Sequence, residues 1–200
     1  MDASEFKEYI FGMMFLKRLN DKYDQDRSKK IKELEGKGWD AEKILKTIEN
    51  PNIYDNYVPE NARWNYNTTD DNGVEMNTGI VHIKKDIGND LNKALAALEE
   101  KNPDKLSGVL TNINFLKTIG KGKSVMSDAK LVEFMQRFNK VRLTDDNFEF
   151  PNILSAAYEY LIKYFADSAG KKGGEFYTPS TVTHVTLHSL RSVYICWHIR

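Results

Sequence analysis

Only one cysteine, Cys196, occurs in the sequence, so no internal disulfide can form and a reducing compartment is the expected setting. No apolar run approaches the roughly 20 residues that a helix needs to cross a bilayer. The N-terminus, MDASEFKEY, starts acidic and amphipathic, unlike the basic-then-apolar pattern of a signal peptide. These features together point to the cytoplasm. Net charge is absent too, with 29 lysines and arginines against 29 acids. That balance argues against a free-standing basic nucleic-acid module, and any DNA contact is expected from one face of a larger assembly. Internal repeats are lacking, and 200 residues suffice for one large domain or two small ones with a core that needs no staples.

What is present is helical spacing. From Asp2 to about Asp26, Phe6, Ile10, Met13, Met14, Leu16 and Leu19 keep an apolar face rich enough for burial on more than one side. Asp2 and Glu5 make a capping box, while Lys17, Arg18 and Lys22 follow toward the predicted C-terminal end. A second helix is predicted over Ser28–Glu35, stopped at Gly36-Lys37-Gly38. A third runs from about Asp40 to Glu49 and closes at Asn50-Pro51. Residues 51–79 hold no period and read as a long loop anchored by VPENARW at 58–64. Helical spacing returns from Ile80 to Leu98, ending at Asn102-Pro103, and weakens between Leu106 and Ile119. Ser127 opens another helix, and about 152–169 is the clearest amphipathic helix, with Gly170 as its cap. The expected fold class is mainly α.

Several motifs invite chemistry and most decline it. GKGKS at 120–124 suggests a phosphate loop, but Lys117 stands where the first glycine belongs and no strand is predicted before it. A solvated basic turn is the better reading. His184 and His188 have metal-ligand spacing on a helix, yet no acid or third ligand accompanies them, so no metal is expected. The basic groups Lys29-Lys30-Lys32, Lys117 with Lys121 and Lys123, and Lys171-Lys172 each read first as solvated faces. GGEFYTPSTV at 173–182 is different. Two glycines admit a close approach, Phe176 and Tyr177 offer flat surfaces, and Thr178-Pro179 begins a helix whose free N–H groups favour an anion. On pattern alone this is either a ligand lip or an inter-domain turn with two buried aromatics.

Four blocks in register carry a resemblance. SEFKEYIFGMMFLKRLND at 4–21, VPENARW, ALAALEEKNPDKLSGVL at 94–110 and LSAAYEYLIKYFADSAGKKGGEFYTPSTV at 154–182 are similar to the N-terminal region of the modification (M) subunit of type I restriction-modification systems. The likeness extends to about residue 190. Members are adenine-specific DNA methyltransferases that use S-adenosylmethionine. The resemblance implies a helical N-terminal domain over 1–170, a linker and first helix over 171–190 leading into a Rossmann-like methyltransferase domain, and an atypical tail over 191–200. It implies that Glu175, Phe176, Tyr177, Thr178, Pro179 and Ser180 border the methionine side of the cofactor. Implied partners are double-stranded DNA, the specificity (S) subunit, the restriction (R) subunit and a second M subunit.

The resemblance has limits in the residues themselves. Ser180 stands where the family usually has arginine, which takes the outermost cofactor contact out of the pattern. Neither the Asp-Pro-x-x-Gly-type cofactor motif nor the Asn-Pro-Pro-aromatic motif for the flipped adenine occurs in these 200 residues. No catalytic residue is therefore carried over. RSVYICWHIR after Leu190 departs from the family and reads as a truncation, a frameshifted end or a cloning scar, with the catalytic domain expected to be missing. The rival reading is a non-enzymatic helical interaction module that retains only assembly contacts.

Overall fold

The computed structural model describes residues 3–69, 73–110, 113–116, 118–119 and 123–147. Those residues are mainly helical, as the periodicity predicts. α1 (Ala3–Gly36) is one helix of 34 residues, not the two expected. A serine inside a helix costs under about 0.7 kcal/mol, and the Lys22–Asp26 pair (2.8 Å) and the Lys30–Glu33 pair (2.9 Å) brace the helix on either side of the predicted break. Lys17, Arg18 and Lys22 consequently lie mid-helix, so their expected complement to a helix end is overturned. The first half of α1 is buried on several sides, including Met13, Met14, Leu16, Leu19 and, less expectedly, Lys17 and Asn20.

The helix stops where glycine permits a left-handed residue. Gly38 has φ +74°, its N–H bonds to Glu35 O (2.9 Å), and the Trp39 N–H bonds to Leu34 O (3.2 Å). This paired closure turns the chain back along α1. Asp40 then caps α2 (Ala41–Ile48), its carboxylate accepting from the Lys43 N–H at 2.8 Å. Leu34, Ile44 and Ile48, with Ile31 and Trp39 alongside, form a small core separate from the main one.

The unperiodic stretch after α2 is ordered by 3₁₀ turns at Pro51–Ile53 and Glu60–Ala62 and by a short antiparallel hairpin. Its strands, β1 (Asn67–Thr69) and β2 (Glu75–Asn77), pair Asn67 with Asn77 and Thr69 with Glu75. The chain returns beside its own outbound strand, with the Ile80 N–H on Arg63 O (2.9 Å) and the Val81 N–H on Trp64 O (3.0 Å). Gly79 makes that approach possible. A Cβ there would sit 2.5 Å from Trp64 O and 2.6 Å from Tyr66 N, both backbone atoms that cannot yield cheaply. Gly79→Ala is expected to cost about 1–3 kcal/mol by overpacking, read as a lower urea midpoint with unchanged slope.

Because residues 80–82 are held in a 3₁₀ turn against Arg63 and Trp64, α3 begins later than its pattern predicts, at Ile87–Lys101. α4 (Pro103–Leu106) follows directly. β3 (Thr118–Ile119) and β4 (Lys123–Ser124) pair antiparallel, and α5 (Asp128–Asn139) closes the described helices. The main core joins Tyr9, Met13 and Leu16 of α1 to Leu91, Leu95 and Leu98 of α3 and to Leu131 and Met135 of α5. Phe115 seals one end, edge-on to Tyr9 at 5.4 Å between ring centroids. No described helix is long and apolar enough to cross a membrane.

Candidate functional site

The candidate site has two parts: the VPENARW segment with the residues that grip it, and a short strap lying on α1. Val58, Ala62, Arg63 and Trp64 are all buried, although the segment has only one turn of 3₁₀ helix to satisfy its backbone. Polar side chains from the two neighbouring resemblance blocks supply the missing bonds. Asn20 of α1 accepts from the Trp64 N–H (2.7 Å) and donates to Ala62 O (3.0 Å) and Leu16 O (2.9 Å). Asn102, just after α3, accepts from the Tyr57 N–H (2.7 Å) and donates to Tyr57 O (2.8 Å) and Leu98 O (2.7 Å). Each amide thus stands in for a strand partner, pairing one donor and one acceptor of an irregular chain.

Arg63 is the electrostatic centre of this grip and is 4% exposed. Its guanidinium donates to Glu49 Oε2 (2.5 Å), Tyr23 OH (3.2 Å) and Val58 O (3.3 Å), and its plane covers the Tyr66 ring at 4.5 Å. Glu49, at the end of α2, also receives Arg27 of α1 at 3.0 Å. Burial pushes the Glu49 carboxyl upward, but the hydrogen bonds and charges of Arg63 and Arg27 outweigh it and hold it below the ordinary range. Tyr23, Tyr54 and Tyr57 pack around the pair with centroids 4.7–6.1 Å apart, and burial raises the Tyr23 phenol well above its usual value. The network contains a neutralised cation with no face left for a substrate. Its work is to hold α2 and the loop against α1.

The strap is the second part. Residues 141–147 run along α1 after α5 ends. The Leu143 N–H bonds to Asp21 Oδ2 (2.7 Å) and Arg18 Nη1 donates to Leu143 O (2.6 Å). Asp145 pairs with Arg18 and, at 2.9 Å, with Lys22, while Gln25 Nε2 donates to Asp146 Oδ2 (2.5 Å). The Arg18 hydrogen bond, followed by that of Lys22, lowers the Asp145 carboxyl to about 2. Asp21 is itself buried and paired with Lys17, whose ammonium lies 5.6 Å from the Trp64 ring centre. The strap and the VPENARW grip therefore share one turn of α1. Beyond the strap a cleft of about 300 Å³ opens, lined by Lys29, Lys32 and Arg142 on one side of the charge balance and Asp21, Asp24 and Asp146 on the other.

The sequence-predicted site residues fare unevenly. Glu175, Phe176, Tyr177, Thr178, Pro179 and Ser180 lie outside the described residues, as do the predicted 152–169 helix, His184, His188, Cys196 and the Asp2 cap. Beside the GKGKS run, the strand Thr118–Ile119 falls inside the window of the phosphate-loop pattern that would begin at Lys117, not ahead of it. That strand pairs antiparallel with Lys123–Ser124, and residues 117 and 120–122 lie outside the described residues. Among the described residues, no group of three His, Cys, Asp or Glu could hold a metal ion. Sequence reasoning missed Asn20, Asn102 and the strap; the available signal was polar residues recurring on α1 at 18, 21, 22 and 25, one helical face.

Most of this helical unit is matched by a family model. The model for the HsdM N-terminal domain matches residues 1–138, well over half of the chain, and the chain belongs to that family. A second model, for N-6 DNA methylase, matches residues 149–194, which include GGEFYTPSTV. The type I restriction enzyme MjaIX methylase subunit of Methanocaldococcus jannaschii is 24% identical over 199 residues, covering 95% of this chain and 32% of that protein. The type I restriction enzyme MpnII methylase subunit of Mycoplasma pneumoniae is 28% identical over 117 residues, covering 57% of this chain and 20% of that protein. The chain thus spans about a third or less of the length of these relatives.

Proposed function

We propose that this chain is the N-terminal part of the modification subunit of a type I restriction-modification system, whose complete form is a site-specific adenine-N6 DNA methyltransferase in the cytoplasm. The observation that carries this reading is the succession of two family matches in one chain, HsdM N-terminal domain then N-6 DNA methylase, in that order. The names of both relatives agree with it. In this reading the helical domain, with the expected division at 170, embraces double-stranded DNA together with a second modification subunit. It also contacts the specificity subunit, in a complex that includes the restriction subunit. The self-supporting core and the gripped loop suit a rigid assembly surface of this kind.

S-adenosylmethionine is the methyl donor in this proposal. Glu175, Phe176, Tyr177, Thr178, Pro179 and Ser180 supply one edge of its site, and the 171–190 stretch leads into the methyltransferase domain. No catalytic residue is assigned, because no Asn-Pro-Pro-aromatic run occurs among the 200 residues. The 200-residue chain alone is expected to transfer no methyl group.

Tyr177→Ala tests the cofactor edge in a full-length subunit that carries this sequence. Loss of one aromatic wall is expected to cost about 1–3 kcal/mol, roughly ten- to a hundredfold in cofactor affinity by calorimetry. Melting temperature and co-purification with the specificity subunit should hold. A collapsed melting temperature with unchanged affinity would assign the aromatics to packing between domains and remove them from the site.

A further inference from the structure

Four α1 side chains, Arg18, Asp21, Lys22 and Gln25, follow the i, i+3, i+4, i+7 spacing of a single helical face. All four bond to residues 143–146. Such spacing ordinarily marks an apolar face seeking a core; here it is a charged track occupied by the chain's own backbone and acids. The strap falls in the interval between the two family matches, which end at 138 and resume at 149. Its upstream end is also fixed, because Asn139 Oδ1 accepts from Trp64 Nε1 at 3.0 Å.

We propose that residues 141–147 are an electrostatic latch that sets the path on which the chain leaves the helical domain toward the methylase-matching segment. The latch is built of unequal parts. The Asp21 contact to the Leu143 N–H is part-buried and backed by Lys17, so salt reaches it only once the outer contacts open. The Asp145 contacts are half-exposed, with 46% of that side chain accessible, so they weaken as ions screen them. Raising salt or removing the Asp145 charge therefore loosens the strap while α1, α3 and α5 stay folded. The exit path of the following segment is then a function of ionic strength. That consequence rests on reading 149–194 as the start of a second domain, whereas the latch itself does not.

Hydrogen exchange on the 200-residue chain, followed at the Leu143 amide, tests the latch. Asp145→Asn is expected to speed that exchange about tenfold, as is raising sodium chloride from about 0.05 to 0.5 M. Amides of α3 should not change. Asp145→Glu, which keeps the charge facing Arg18 and Lys22, should retain most of the protection. An unprotected Leu143 amide in the parent chain, or no response to Asp145→Asn, would overturn the latch. Nitroxide labels at Glu42→Cys and Lys163→Cys, in a Cys196→Ser background, read the exit path separately. Their distance distribution should broaden in Asp145→Asn. A loosened Leu143 amide with an unaltered distribution would leave the latch and refute its role in orientation.

Discussion

Replacing Arg63 with alanine is expected to lower the unfolding free energy by about 2–4 kcal/mol, below the full scale for a buried ion pair because the Glu49 side chain is 36% exposed. Arg63 is 4% exposed and its guanidinium bonds to Glu49, Tyr23 and Val58 O at once, so its loss leaves Glu49 with Arg27 and a long bond from the Tyr57 hydroxyl and orphans a buried carbonyl. Arg63→Lys should recover little, because a single ammonium cannot reach three acceptors and cover the Tyr66 ring. Urea unfolding followed by circular dichroism measures the difference. A cost under about 1 kcal/mol would mean that packing alone holds the loop.

The same pair makes a pH prediction. The Glu49 carboxyl sits below its ordinary value in the folded chain, so the unfolded state binds its proton more readily. Its contribution to stability is complete above the unfolded value of about 4.3 and is lost as pH falls through the folded value. Glu49→Gln should therefore cost most at neutral pH, and its difference from the parent chain should shrink below about pH 4. A difference that is constant with pH would assign the effect to shape and not to charge.

Asn20→Ala carries the second large effect. It deprives the buried Trp64 N–H of its acceptor and Ala62 O of its donor. Each stranded group costs about 1–3 kcal/mol, so a loss of about 3–5 kcal/mol is expected. For a chain of this size that corresponds to a melting temperature lower by roughly 6–20 °C. Asn20→Asp should fall between, since it keeps the acceptor for Trp64 and loses the donor for Ala62. If Asn20→Ala melts within about 2 °C of the parent, water must replace the amide, and the grip on VPENARW is weaker than its geometry implies.

Helix content, the closure at Gly36-Lys37-Gly38, the Asp40 cap and the anchoring role of VPENARW were all legible in the sequence. Each depends on local chemistry: apolar spacing over a few turns, a left-handed glycine, a short acid before a helix, or a run of residues that cannot solvate well. The family resemblance was legible for a related reason, since three of its four blocks hold the residues that meet in this core. Asn20 lies in the first block, Ala62 and Trp64 in the second, and Asn102 in the third.

What the sequence by itself determined was therefore which segments are helical and which irregular segment had to be held. Tertiary structure alone decided how it is held. A serine at 28 reads as a helix start only if nothing downstream sustains the first helix, and charge pairs along α1 do sustain it. Arg18 and Lys22 read as charges toward a helix end, and Asp21 and Gln25 carry no signal of their own, until the strap arrives more than a hundred residues later. Asn20 reads as an ordinary polar helix residue and Asn102 as a helix end until burial strands the backbone of Trp64 and Tyr57 beside them. Periodicity reports what a segment must hide from water. It carries no record of which distant donor or acceptor will be left unpaired, because that deficit exists only once the chain has folded around it.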